Sequence, residues 1–427
     1  MTVGTLLRIT VLGVAVAACA SGDGDGPAAG RASVPAPAPL ETCSRVYYEG
    51  SGSPDVLIAS DLPLQGTYAV DGLQGTRAIR IVLEQRGFKA GRHTVGYVSC
   101  DGATPTDDVS AGKCRRSGRA YVAAAPVVAV IGPFFSSCAI HMMPLLNRAR
   151  LAEVGPGNTY VGLTRSGPGI PDDEPARFRP AERRNFVRLA APDDLQGRAH
   201  VGLAHDRGER TAYVLHDGVD AYGLGSAIAF RDAAREAGIE VVGFETWDPE
   251  AKRYDALARR VAGSGADAVF LGGYIVSNAG QVIRALRGAV GDDVTLMASE
   301  GMFPVSALRA RAGAAAEGLL VTLSSIATER LRGPGADFLR RFRQRTGQEP
   351  CCYTVHVAQA THVLLDAIAA SDGSRRSVTQ ALLGLRVSGG IIGDFSFDEN
   401  GDVTPSLVSV YRITDGKQKL FDVVENP

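Results

Sequence analysis

Val127-Val128-Ala129-Val130-Ile131-Gly132-Pro133-Phe134-Phe135-Ser136-Ser137 is an apolar run closed by a Gly-Pro break and followed by two hydroxyl residues. Five consecutive apolar residues without polar alternation suit a strand covered on both faces, as in a parallel sheet. Behind the break, Ala139 to Ala149 reads as a helix, so the stretch is one strand-to-helix unit.

The same rhythm extends in both directions. Upstream lie strand Val56 to Ala59, a helix from about Gly72 to Arg86 with Ala78, Ile81 and Val82 on one face, strand His93 to Ser99 and helix Ala111 to Ala124. Downstream comes strand Leu151 to Val154, and then Gly155 to Glu182, a long Gly-, Pro- and charge-rich connection that reads as a surface insertion or a functional loop. A second series follows. Its strands are Ala212–Leu215, Val241–Glu245, Ala268–Leu271, Thr295–Ala298 and Leu319–Thr322, with helices near 196–205, 223–237, 255–262 and 280–287. Both halves therefore read as doubly wound α/β units. The chain ends with helices near 334–346, 353–370 and 378–385, then strands Gly393–Phe397 and Leu407–Ile413. Asp398-Glu399-Asn400-Gly401-Asp402 between these strands lacks EF-hand spacing and reads as the turn of a hairpin joining them.

The beginning of the chain carries a different message. Arg8 precedes an uncharged run, Ile9 to Ala18, too short to span a bilayer, which is the anatomy of a signal peptide. Val16-Ala17-Ala18-Cys19 resembles the cleavage site of bacterial lipoproteins, which implies lipidation of Cys19 and a place on the outer face of the cytoplasmic membrane. Ser21 to Pro39 has almost no bulky apolar residue and reads as a tether.

With 427 residues and 45% hydrophobic content the remainder can build two folding units, and a net charge of -1 offers no basic field for nucleic acid. Cys43, Cys100, Cys114, Cys138, Cys351 and Cys352 are an even set in an oxidising compartment, so disulfides are expected, with fifteen pairings open. Cys351 and Cys352 are neighbours, so each is expected to pair elsewhere or to remain a buried thiol. No Cys-x-x-Cys pair and no cofactor motif occurs, and neither metal nor cofactor is expected.

Ligands of open parallel sheets sit beyond the carboxyl ends of the strands, which singles out the residues there. After Ile131, Phe134 and Phe135 lead to Ser136, a hydroxyl beside the free amides of a helix N-terminus and thus a cradle for a carboxylate. After Val154 come Gly157 and Thr159; after Leu271, Tyr274; after Ala298, Glu300, a carboxylate that could pair with an ammonium. Tyr68 and Tyr222 follow the first strands of the two halves and could wall a pocket.

Taken in order, Asp61-Leu62-Pro63-Leu64-Gln65-Gly66 with Tyr68, Ile131-Gly132-Pro133-Phe134, Ala221-Tyr222-Gly223, Gly272-Gly273-Tyr274, Glu300-Gly301 and Glu317-Gly318-Leu319-Leu320-Val321 resemble the type 1 periplasmic binding proteins. More narrowly, they resemble the leucine/isoleucine/valine-binding branch, the capture subunits of branched-chain amino-acid ABC importers, and the likeness runs from about Asp55 to Thr414.

The resemblance implies two Rossmann-like lobes joined by a hinge: 54–190 plus about 325–405, and 191–324 plus about 406–427, after a signal peptide (1–18) and a lipidated tether (19–53). It puts the ligand carboxylate on Ser136 and Thr159 and the ammonium on Glu300. Tyr68, Tyr222 and Tyr274 then line the cleft, Phe134 faces the ligand side chain, and Tyr353 matches an aromatic near the ligand. Permease and ATPase subunits are the implied partners. Two features depart from the family: Tyr160 to Arg184 is longer than in its best-known members and could add to or cover the cleft, and Phe134 is bulkier than the usual aliphatic residue. Rival readings are a sensory module using the same cleft, a binder of amides or short-chain acids, and an enzyme, for which no nucleophile elbow, P-loop or His-Glu-x-x-His is found.

Overall fold

A computed structural model describes residues 43–104 and 110–425. The expected signal peptide, Cys19 and most of the tether lie outside the described residues. None of the helices described is long and apolar enough to cross a membrane.

The first series of strands is β1 (Val56–Leu62), β2 (Lys89–Ala90), β3 (His93–Asp101), β4 (Val127–Ile131), β5 (Ala152–Gly155) and β6 (Phe186–Arg188). They form one sheet in the order β2-β3-β1-β4-β5-β6, parallel except where β2 folds back on β3. Helices α1 (Ala69–Gln85), α2 (Ala111–Ala123) and α3 (Ser136–Arg148) alternate with these strands. β1 and β4 are buried along their whole length between two helical layers; β4 is apolar throughout, whereas β1 buries the polar Ser60 and Asp61 near its end.

The second series has β7 (Thr211–His216), β8 (Glu240–Thr246), β9 (Ala268–Gly272), β10 (Thr295–Ala298) and β11 (Leu320–Leu323). Between and around them run α4 (Asp193–Asp206), α5 (Ala221–Glu236), α6 (Asp255–Ser264), α7 (Gly280–Val290) and α8 (Val305–Ala312). Three helices, α9 (Pro334–Thr346), α10 (Thr354–Ala369) and α11 (Arg375–Leu383), return to the first sheet, where Phe338, Val357, Leu364 and Val378 join the core of Ile58, Ile79 and Val82.

The last strands are β12 (Arg386–Gly390), β13 (Gly393–Phe397), β14 (Val403–Thr404), β15 (Leu407–Thr414) and β16 (Lys417–Glu425). β12, β13 and β14 make a small antiparallel sheet. β15 and β16 extend the second sheet, whose order is β16-β15-β11-β10-β9-β7-β8. The expected hairpin between 393–397 and 407–413 is therefore corrected. The Asp398–Asp402 turn joins β13 to β14, while β15 pairs antiparallel with β11. Asp402 closes that turn with its backbone, while its carboxylate accepts a bond from the fully buried guanidinium of Arg188 (Nε–Oδ1 2.7 Å). Two doubly wound α/β lobes result, and the chain passes between their sheets after β6, after β11 and after β14.

Two disulfides, Cys43–Cys100 and Cys114–Cys138, both belong to the first lobe. The first fastens the start of the described chain to β3, and the second ties α2 to α3. Closing loops of 57 and 24 residues, each contributes about 3–4 kcal/mol by restricting the unfolded chain. Cys351 and Cys352 are unbridged thiols, half-buried rather than buried.

Candidate functional site

The carboxyl ends of the two sheets face one cleft with an apolar, largely aromatic lining and a few polar groups. Two backbone devices hold its loops. Gly132 takes φ +110°, where a Cβ would collide with the Asp61 carbonyl, and this turns the chain sharply off β4 toward α3. Gly273 takes φ +148°, where a Cβ would collide with the Asp217 carboxylate, which accepts from the Tyr274 amide at 3.0 Å.

On the wall of the first lobe stand Tyr68, Phe134, Phe135, Ser136 and Gly157. Helix α3 begins at Ser136, three residues earlier than the sequence suggests, with Phe135 as its cap and no side-chain capping bond. The Ser136 hydroxyl does not cap its own helix. Its Oγ accepts from the amides of Thr159 (3.1 Å) and Tyr160 (3.3 Å), which leaves its proton to point elsewhere. The first-turn amides of a helix also lack intrahelical acceptors, so this corner offers donors. Thr159 is not among the residues lining the cleft; it is fully buried, and its nearby hydroxyl opposes the upward pKa shift of the Glu300 carboxyl.

On the opposite wall stand Tyr222, Tyr274, Glu300, Gly301 and Phe303. Glu300 Oε2 accepts from the Ser324 amide at 3.0 Å and from the Tyr353 hydroxyl. Burial pushes its carboxyl up to about 7 against these bonds. Asp193, fully buried behind it, is raised further by burial and by the Glu300 charge. Gly301 is held on both sides: its amide donates to Tyr222 Oη at 2.8 Å, and its carbonyl accepts from Tyr68 Oη at 3.0 Å. The second of these bonds crosses from one lobe to the other.

The rings form a continuous lining. Tyr68 meets Phe135 edge-on at 5.4 Å, Phe135 meets Tyr274 at 6.0 Å, Tyr274 lies 4.7 Å from Tyr222, and Phe134 touches Tyr353 at 5.8 Å. Nine of the ten ligand residues singled out from sequence thus border the cleft, and Thr159 does not. Asp71, Phe303 and Cys352 border it too and were not singled out. Asp71 lies in the first turn of α1, and Cys352 was visible only as half of an unusual pair. Two carboxylates and no basic side chain line the cleft among the described residues.

The 160–184 segment does not line the cleft. Tyr160, Leu163 and Phe178 pack on Ala139 and Met143 of α3, and Ile170 and Ala221 lie against the same cluster, so the segment spans the two lobes beside the cleft.

A family model described as periplasmic binding protein matches residues 56–418. The chain is 27% identical over 387 residues to a Leu/Ile/Val-binding protein homolog 1 from Brucella suis, across 89% of this chain and 96% of that protein. Its structure resembles that of the leucine-binding protein LivK from Thermotoga maritima, with a TM-score of 0.74, 23% identity and coverage of 86% of this chain and 98% of that one. A substrate-binding protein of an ABC transporter from Desulfitobacterium hafniense, solved in complex with Leu, gives 0.70 at 24% identity over 86% and 99%.

Proposed function

Because the chain belongs to the periplasmic binding protein family, we propose that it is the extracytoplasmic solute-binding subunit of an ABC importer and that its ligand is an amino acid, branched-chain or related. One observation carries the choice of ligand. The cleft presents the buried carboxylate of Glu300 on the wall of the second lobe, and a hydroxyl with a helix N-terminus, beside Asp71, on the wall of the first, with no basic side chain in its lining. An acidic, base-free pocket favours a ligand that brings its own cation, and the helix end favours one that also carries an anion.

In this reading the ligand ammonium binds Glu300 and its carboxylate binds Ser136 and the first amides of α3. The side chain lies among Phe134, Tyr68, Tyr222, Tyr274 and Tyr353, over the backbone of Gly157. Thr159 acts through its amide, which fixes the Ser136 oxygen. Since the two charged ends meet different lobes, only the closed form satisfies both, and ligand binding draws the lobes together. The closed body then presents both lobes to a permease. Cys19 is the proposed lipid attachment, keeping the protein beside that permease.

Calorimetry with L-leucine and with 4-methylpentanoate, the same skeleton without the amine, tests the assignment. Removing the amine is expected to weaken binding at least about a hundredfold, because Glu300 then faces no cation. Equal affinity for both compounds would sink the zwitterion reading in favour of a short-chain acid.

A further inference from the structure

Cys351 and Cys352 stand apart from the other described cysteines. They are unbridged, their sulfurs are 3.4 Å apart, and the Cys351 thiol donates to Asp71 Oδ1 at 3.2 Å. Cys352 and Asp71 both form part of the cleft wall. The backbone on either side is pinned. The Cys351 amide donates to Gln74 Oε1 at 2.6 Å, and Tyr353 next in sequence bonds through its hydroxyl to Glu300. The remaining described cysteines are all paired, as in a chain that matures under oxidising conditions.

We propose that Cys351 and Cys352 form a reversible disulfide between neighbours in the wall of the cleft, and that its closure weakens ligand binding. The second half rests on the amino-acid reading above. The sulfurs need to approach by little more than an ångström to reach the bonded distance of about 2.05 Å. A ring closed between adjacent residues strains the peptide between them, and strained disulfides are the easily reduced, regulatory kind.

The oxidant is a disulfide, R–S–S–R, small enough to enter the cleft mouth. The Cys352 thiolate attacks one of its sulfurs and one R–S⁻ leaves. The Cys351 thiolate then attacks the mixed disulfide and expels the second. Two cysteine thiols and R–S–S–R become one cysteine disulfide and two R–SH, so the two electrons and two protons end on the oxidant. Closure removes the thiol proton that Asp71 accepts and shifts the backbone leading into Tyr353, and so disturbs the bond from Tyr353 to Glu300 across the cleft.

The full chain is treated with oxidised glutathione or with a mild reductant, alkylated with N-ethylmaleimide and cut with trypsin. The peptide spanning 346–375 carries both cysteines. It is expected unlabelled and lighter by two hydrogens after oxidation, and doubly labelled after reduction. L-leucine affinity by calorimetry is expected to be about tenfold weaker in the oxidised form, and a Cys351→Ser/Cys352→Ser double variant is expected to lose this response. Two labels after oxidation, two separate glutathione adducts, or equal affinity in both redox forms would overturn the proposal. If neither form binds amino acids, the ligand reading fails, while the peptide mass still decides whether the disulfide forms.

Discussion

The wall built by the first lobe and the wall built by the second come from the same strand-to-helix architecture but do different work. On the first, the sharp turn at Gly132 feeds a helix whose first turn, with Ser136, supplies hydrogen-bond donors. On the second, the chain leaving β10 puts a carboxylate, Glu300, in a site where burial holds it near the midpoint of its titration. The difference shows how one fold can sort the two ends of a zwitterion: a helix N-terminus reads the anion, and a buried acid, uncomfortable until a cation arrives, reads the ammonium.

The largest break in this contrast is expected from Glu300→Gln. It keeps the volume and one acceptor but removes the charge, and should weaken amino-acid binding at least about a hundredfold. The same residue sets a pH dependence whose sign is fixed. The folded, unliganded protein holds the Glu300 proton up to about 7, whereas the unfolded chain releases it near the ordinary 4.5. Between these values the folded state binds the extra proton, so the stability of the unliganded protein falls as pH rises through the window. A ligand ammonium requires the ionised carboxylate, so affinity should fall below about pH 7 by up to about tenfold per unit and level off above it. Titration by calorimetry checks both effects: Glu300→Gln should flatten the slope, and an unaltered slope would assign the proton to another group such as Asp71.

Ser136→Ala tests the opposite wall. It removes one neutral donor among several and leaves the helix amides in place, so a smaller loss is expected, about tenfold in Kd by calorimetry. A loss equal to that of Glu300→Gln would mean that the hydroxyl, not the helix end, carries anion recognition.

The two walls were also unequally legible in the sequence. Ser136, Phe134, Tyr274 and Glu300 could be found because a doubly wound sheet delivers ligands to its strand ends, and apolar strands such as Val127–Ile131 announce where they stop. Asp71 and Cys352 could not, because each sits at the start of a helix and reaches the cleft only through the packing of α1 against α10. Thr159 follows a strand end as expected and is fully buried, with its amide donating to the Ser136 hydroxyl oxygen. The short strands escaped for a simpler reason. β2 and β14 are two residues long, too brief for any alternation, and β16 carries charges along an exposed edge. Leu407–Thr414 was recognisable as a strand, but its partner was not, since the turn before it suggests a local hairpin and only the second sheet's open edge at β11 explains where it goes.

The smallest effect should come from the contact that joins the walls without touching the ligand's charged groups. Tyr68 belongs to the first lobe, and its hydroxyl donates to the Gly301 carbonyl of the second at 3.0 Å. Tyr68→Phe keeps the ring against Phe135 and Tyr274 and deletes the bond to Gly301. One neutral hydrogen bond is worth about 1 kcal/mol, so closure should be disfavoured about fivefold and the apparent Kd should rise by the same factor. Because the loss acts on the equilibrium between open and closed forms, it should scale the affinities of L-leucine and its close analogues alike and leave their ranking unchanged. A change in ranking would instead place the hydroxyl in contact with the ligand side chain, and would move Tyr68 from the closing contact to the specificity pocket.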